Sequence, residues 1–195
     1  MVGTVRIRLA GSGAGRGLVR LSLREVGSTE LDGLPTTRST AAPPSTAGRH
    51  PNGSLSIDHV VAFSPDLDRT AQALISAGLP LRRVREGPTP GGAMRQAFFR
   101  LGEVILEVIE HPEGTPARAR RDDPARLWGM VFVVESLDEC ASELGERLGS
   151  PRDAVQPGRR IATLRRSAGL SLPVAFITPE VSPASRTAGS QASPS

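Results

Sequence analysis

The sequence predicts an α+β domain over residues 55–180, built as two paired βαβββ modules with curved mixed sheets around a shared cavity. Three observations predict it. Short apolar runs of strand type alternate with only two helical patterns. The order of elements in residues 55–111 returns in residues 127–180. The flanking segments are too polar and too rich in Gly, Pro, Ser and Thr to add a second domain.

The first module opens with IDHVVAF at 57–63, an apolar strand. Ser64-Pro-Asp66 then supplies capping side chains, and Leu67, Ala71, Leu74 and Ile75 fall on one helical face. Gly78 ends that helix. Strands are expected over 80–86, 94–101 and 104–110, with a Gly/Pro loop at 87–92. A polar connector rich in Arg, Asp and Pro fills 111–126. The second module starts with WGMVFVV at 128–134. A helix from Leu137 to Leu148 follows, with Leu137, Cys140, Ala141, Leu144 and Leu148 inward and Gly149 at its end. Strands over 159–166 and 172–178 complete it, and its second strand is weakly marked. At an offset of about 70 residues Leu67-Asp68 falls on Leu137-Asp138, Ala71 on Ala141 and Leu74 on Leu144.

Outside this domain, 4–9 and 18–24 alternate apolar and basic residues and read as a β-hairpin within residues 1–26. The Gly-rich stretch between them fits GxGxxG in no register, so it reads as a loop and not a dinucleotide site. Residues 27–54 read as a disordered linker and 181–195 as a disordered tail.

The net charge is +4, and every basic residue other than histidine is Arg. The excess lies in the tails: residues 54–180 carry sixteen arginines against seventeen carboxylates. A near-neutral domain with one Trp and no Tyr lacks the basic stripe and stacking platform of a nucleic-acid binder. The single cysteine, Cys140, excludes an intrachain disulfide and a thiolate cluster. No apolar run approaches the ~18 residues of a membrane span, and no signal-peptide pattern opens the chain, so the expected location is the cytoplasm.

The segment IDHVVAFSPDLDRTAQAL, the strand VILEVIE and the segment WGMVFVVESLDECASEL resemble the module starts and the fourth strand of the glyoxalase-like, vicinal-oxygen-chelate superfamily. The resemblance spans 55–180 and leaves out both tails. It implies a small-molecule site between the modules and, in metal-dependent members, ligands from the first and fourth strand of each module. Those positions are His59 and Glu107 in the first module, a pair suited to Fe, Mn, Ni or Zn. In the second they are Gly129 and Ala175, which offer no ligand, so the implied metal site is incomplete and no cofactor is certain. His111 sits at a strand end, where it is expected outside the cavity.

Three functional readings follow. The first is a binding or sequestering protein for a small organic molecule, comparable to the antibiotic-binding resistance members of the superfamily. The second is a lyase, isomerase or dioxygenase that uses His59 and Glu107 with a metal or as an acid/base couple. The third is an interaction module with the N-terminal hairpin as its surface; the superfamily resemblance also implies a homodimer. Neither nucleic acid nor membrane is an expected partner. Phe63, Phe99 and Trp128 either stack on a ligand or pack in the core. Arg160, or its neighbour Arg159, either clamps an anion or is a solvated strand end, as do or are Arg165 and Arg166. Cys140 reads as a buried hydrophobe, and Asp122 and Asp123 as solvent-facing.

Overall fold

A computed structural model describes residues 1–42, 48–89 and 92–180. The calls of a linker at 43–47, of a loop at 90–91 and of a tail at 181–195 lie outside the described residues.

The first module contains β3 (Ser54–Ser64), α1 (Leu67–Ser76), β4 (Leu81–Thr89), β5 (Gly92–Leu101) and β6 (Val104–Glu110). Two short strands precede it, β1 (Leu21–Leu23) and β2 (Thr36–Arg38). A one-turn helix, α2 (Pro116–Ala119), lies in the connector. The second module contains β7 (Arg126–Val134), α3 (Leu137–Leu144), β8 (Arg152–Asp153), β9 (Arg160–Thr163) and β10 (Val174–Ile177). The eight strands of both modules form one curved mixed sheet that is not closed, in the order β4-β5-β6-β3-β7-β10-β9-β8. Each half is thus a βαβββ unit, and β3 and β7 join the halves in antiparallel pairing.

Alternation along the strands sorts the sheet into two faces. Val60, Ala62, Ala97, Phe99, Leu106, Val108, Met130, Val134, Val174 and Phe176 pack with Leu67, Leu74, Leu137 and Cys140 of the two helices. The opposite, helix-free face carries His59, Val61, Glu107, Val131, Ala175 and Ile177. The last three of its apolar residues form a separate small cluster.

The start of α1 is held by several groups at once. The Asp66 side chain accepts from the Arg69 N–H at 3.1 Å, and the Ser64 hydroxyl accepts from the Asp66 N–H at 2.9 Å. The buried Glu110 carboxylate accepts from the Leu67 N–H at 3.1 Å and pairs with Arg118 at 3.1 Å. A carboxylate at a helix N-terminus satisfies an orphan donor and complements the macrodipole. Glu110 thereby locks the last strand of the module to the start of its helix. The α3 helix begins on a Ser136 cap that accepts from the Glu139 N–H at 3.2 Å.

Several boundaries differ from the expectation. The α3 helix ends at Leu144, one turn before the expected Leu148, because Gly145 takes φ 55° there; Gly149 plays no part in ending it. Ile75 is exposed rather than inward, and Thr70 takes its place beside Leu74. The β4–β5 hairpin runs on through Thr89 and Gly92, where a loop over 87–92 is expected.

The N-terminal region differs most. Residues 4–9 form no strand, and β1 pairs with β2 in parallel, so the expected hairpin is absent. Nor does 27–42 behave as a linker, because Leu31 and Leu34 are fully buried in the main core. Hydrogen bonds fix this strap to the domain: Gly27 N–H to Ala77 O at 2.9 Å and Ala125 N–H to Asp32 O at 2.9 Å. The Asp32 carboxylate also accepts from Arg69 at 2.8 Å. Gly33, at φ 80°, lies so close to Pro124 that an added Cβ would sit 2.2 Å from its Cβ. Two leucines without periodicity carry the attachment, and composition does not reveal so sparse a signal. Among the described residues no helix is long and apolar enough to cross a membrane.

Leu31→Ala is expected to destabilise the protein by about 2–5 kcal/mol, the range for a fully buried leucine. Urea unfolding measures it. A change within about 0.5 kcal/mol, as for an exposed position, would mean that the strap is not part of the cooperative core.

Candidate functional site

The polar centre of the helix-free face begins with an irregularity in β3. Its pairing with β7 shifts between Ile57 and His59, leaving Asp58 as the extra residue of a β-bulge. A bulge re-aims side chains that regular alternation would send to opposite faces. Here it lets Asp58 and His59 meet: Asp58 Oδ2 lies 2.7 Å from His59 Nδ1. The other ring nitrogen, Nε2, faces Glu107 Oε2 at 3.4 Å. Gln96 of β5 donates to the second oxygen of Glu107. Arg159 donates to Asp58 Oδ1 at 2.6 Å and, through Nε, to the Thr178 carbonyl at 2.8 Å.

The charges in this chain of contacts are ordered. Burial pushes the Asp58 carboxyl up, but hydrogen bonds from His59 and Arg159 outweigh it and hold the group below its ordinary value. An ionised Asp58 can only accept, so the Nδ1 of His59 carries a proton and Nε2 is the nitrogen left for chemistry. Glu107 moves the other way. Its burial raises its pKa, against the pull of His59, Gln96, Arg85 and Arg83. The Nε2–Oε2 pair is therefore a proton donor and acceptor side by side, backed by a carboxylate that orients the imidazole.

The β ladder identifies the matching positions in the second module. His59 opposes Val131, and Val61 opposes Gly129, symmetrically about the pair Val60–Met130. The counterpart of His59 is thus Gly129. Val61 pairs with Glu107 as Val131 pairs with Ala175, which makes Ala175 the counterpart of Glu107. Neither supplies a ligand. At Gly129 an added Cβ would lie 2.7 Å from the Pro173 carbonyl oxygen, so the position cannot take a side chain without backbone movement. A catalytic divalent ion commonly takes three protein ligands plus an open position. Among the described residues no three His, Cys, Asp or Glu side chains converge to hold one. The residues do not fit a complete metal centre.

Of the other expected residues, Phe63 lies on this face, stacked on His111 at 5.0 Å and edge-on to Trp128 at 5.3 Å. Trp128 is the extra residue of a second irregularity, between Val61 and Ala62, and is 46% exposed. His111 thus joins the rim of the face instead of standing apart from it. Phe99 does not belong: it is fully buried on the helix side. Its neighbour Phe98 faces the site, opposite Glu107. Arg160 is exposed, and the buried arginine is Arg159. In a run of two arginines at a strand start, parity alone does not select one. The sequence pattern singles out neither Asp58 nor Gln96, which the structure places in the centre. The bulge that brings Asp58 into play leaves no mark in the sequence, and Gln96 becomes notable only once β5 is aligned with β6. Cys140 is buried on the helix side, and burial pushes its thiol up to about 11, which keeps it protonated. Concavities of about 380 Å³ along the connector and about 580 Å³ around Arg147 and Arg165 lie away from this face.

The fold is shared with solved proteins. Methylmalonyl-CoA epimerase from Mycobacterium tuberculosis superposes with TM-score 0.51 at 19% identity, over 71% of this chain and 94% of that one. A second methylmalonyl-CoA epimerase superposes with TM-score 0.52 at 21% identity, over 65% of this chain and 97% of that one. A hypothetical protein from Bacillus halodurans C-125 gives 0.51 at 19%, over 65% and 96%. These likenesses establish the glyoxalase-like, vicinal-oxygen-chelate fold. No family model matches the chain, and no curated protein matches it.

Because the folded-state pKa of Glu107 is raised, its neutral form is favoured by folding. That stability is fully present below the ordinary value of 4.5 and is lost as pH rises through the raised value. Glutamine mimics the neutral acid. Glu107→Gln is therefore expected to gain stability relative to wild type between about pH 4 and about pH 8. Chemical unfolding at both pH values measures this. A difference that does not change with pH would show that ionisation of Glu107 carries no cost.

Proposed function

We propose that this chain binds a small organic molecule on the helix-free face, over His59, Gln96 and Glu107, without a complete metal site. One observation carries the reading. The positions related by the ladder to His59 and Glu107 are Gly129 and Ala175, so polarity is concentrated on one module while the other presents the apolar cluster of Val131, Ala175 and Ile177. A face divided in this way suits a ligand with a polar reacting end and an apolar body.

A second reading is supported by the contact between Asp58 and His59. An imidazole held at Nδ1 by an ionised carboxylate, with its Nε2 beside an acid of raised pKa, is equipped for proton transfer. On this reading the protein is an acid/base catalyst, a lyase or isomerase. Nε2 of His59 takes a proton from the bound molecule and Glu107 returns one. Asp58 and Arg159 are positioning residues that touch neither the ligand nor the proton in flight. A dioxygenase reading has less support, because such chemistry needs a metal that these side chains do not fully ligate.

Elemental analysis decides whether the face works without metal. The protein, purified without chelator and then incubated with Fe, Mn, Ni and Zn in turn, is expected to retain well under one equivalent. His59→Ala is expected to make no difference. A full equivalent that disappears in His59→Ala would overturn the metal-free reading.

A further inference from the structure

The ladder aligns the edge strand β4 with the site. Arg83 opposes Phe98, Phe98 opposes Glu107, and Glu107 lies beside Val61 and then Gly129. One row thus runs from an arginine, over an aromatic ring and an acid, to a floor without side chains. In the next row Arg85 opposes Gln96, Gln96 opposes Ile109, and Ile109 lies beside Phe63.

The arginines belong to this face and not only to the strand edge. The Arg83 guanidinium carbon sits 4.6 Å from the centroid of the Phe98 ring. Both arginines also act electrostatically on Glu107, whose raised pKa is due first to burial and is moderated in part by their charges. Charged edge strands discourage strand pairing, but that role needs no guanidinium lying over a ring beside a buried acid.

Neither arginine forms an ion pair with a carboxylate among the described residues. The acid nearest to them in sequence, Glu86, is taken by Arg95 at 2.9 Å, which also holds Asp68. Asp58, the carboxylate held ionised in the centre, is taken by Arg159. Arg83 and Arg85 are thus exposed cations beside a polar centre whose own charges are already matched.

We infer that the ligand of this face is an organic anion, whose carboxylate or phosphate group is held by Arg83 and Arg85 while its body lies over Phe98 toward His59 and the Phe63–Trp128 rim. This rests on the reading of the helix-free face as the binding site. Guanidinium forks match both anionic groups. An aromatic body suits a floor of Phe98 and Val61 with a rim made of Phe63, His111 and Trp128.

The test titrates the full chain by calorimetry with phenylacetate, phenyl phosphate and the neutral phenylacetamide. Trp128, the only tryptophan, reports binding on this face through its fluorescence. The double variant Arg83→Gln, Arg85→Gln is compared with wild type; both positions are exposed, and circular dichroism checks its fold. At least one anion is expected to bind with a change in Trp128 emission and about tenfold or more tighter than the amide. That advantage is expected to vanish in the double variant, whose affinity for the amide stays the same. Loss for one anion alone names the group that the arginines select. If the amide binds as tightly as both anions, with Trp128 responding and the double variant unaffected, the anion assignment is overturned and the binding face stands. If none of the three compounds gives heat or moves Trp128 at millimolar concentration, the binding face falls, and the anion assignment with it.

Discussion

The antiparallel pairing of β3 with β7 is the constraint on which the rest of the structure depends. A single βαβββ unit leaves an open edge at its first strand, with unpaired backbone donors and acceptors. Joining the two first strands removes two such edges at once and sets eight strands in one sheet. Because the side-chain period of a strand is two, this register also decides which residues face the helices. A slip by one residue would send Val60 and Met130 to the helix-free face and His59 into the core. The two buried clusters on opposite sides of the sheet hold the register against that slip.

The same pairing creates an approximate twofold relation, which the side chains then break. On one side of Val60–Met130 stand His59 and Glu107, and on the other Gly129 and Ala175. Burying a histidine and two carboxylates requires partners for each polar atom. Arg159 and Gln96 supply them, and no buried side-chain nitrogen or oxygen among the described residues lacks a hydrogen-bond partner. Arg159 comes from the second module, just before β9, whereas Asp58 and His59 come from the first. Through this one ion pair the second module, which gives the centre no reactive group of its own, positions the imidazole that the first module provides.

Much of this was legible in the sequence, for physical reasons that can be named. The strand VILEVIE occupies its expected residues, because a run that packs on both faces is mostly apolar and a carboxylate in its middle stands out. His59 and Glu107 were legible in the same way, as polar residues in apolar strands. Contacts made by irregular backbone were not. The bulge at Asp58, the irregularity at Trp128 and the turn at Gly145 each shift the phase of a pattern that sequence reading takes as constant. The sequence reading names Phe99 and not Phe98, because parity along β5 is ambiguous until its partner strand is known. The strap that carries Leu31 reads as linker because two buried leucines among Ser, Thr and Pro leave no period to detect.

The asymmetry between modules bears directly on the chemistry proposed for this face. A catalytic divalent ion commonly needs three protein ligands, and the contact of Gly129 with Pro173 keeps the second half from supplying one at that position. A one-sided site has a different requirement: its polar centre must be rigid by itself, since nothing opposite will hold it. The chain from Thr178 through Arg159, Asp58 and His59 to Glu107 and Gln96 meets that requirement, with each member fixed by the next. Rigid donors and acceptors cost no reorganisation when a proton moves or a ligand arrives. The lack of polar side chains at Gly129 and Ala175 and the continuous hydrogen-bonded chain on the other half are therefore parts of one arrangement. In the proposed reading, that arrangement takes up an organic molecule on a face whose second half offers no metal ligand at Gly129 or Ala175.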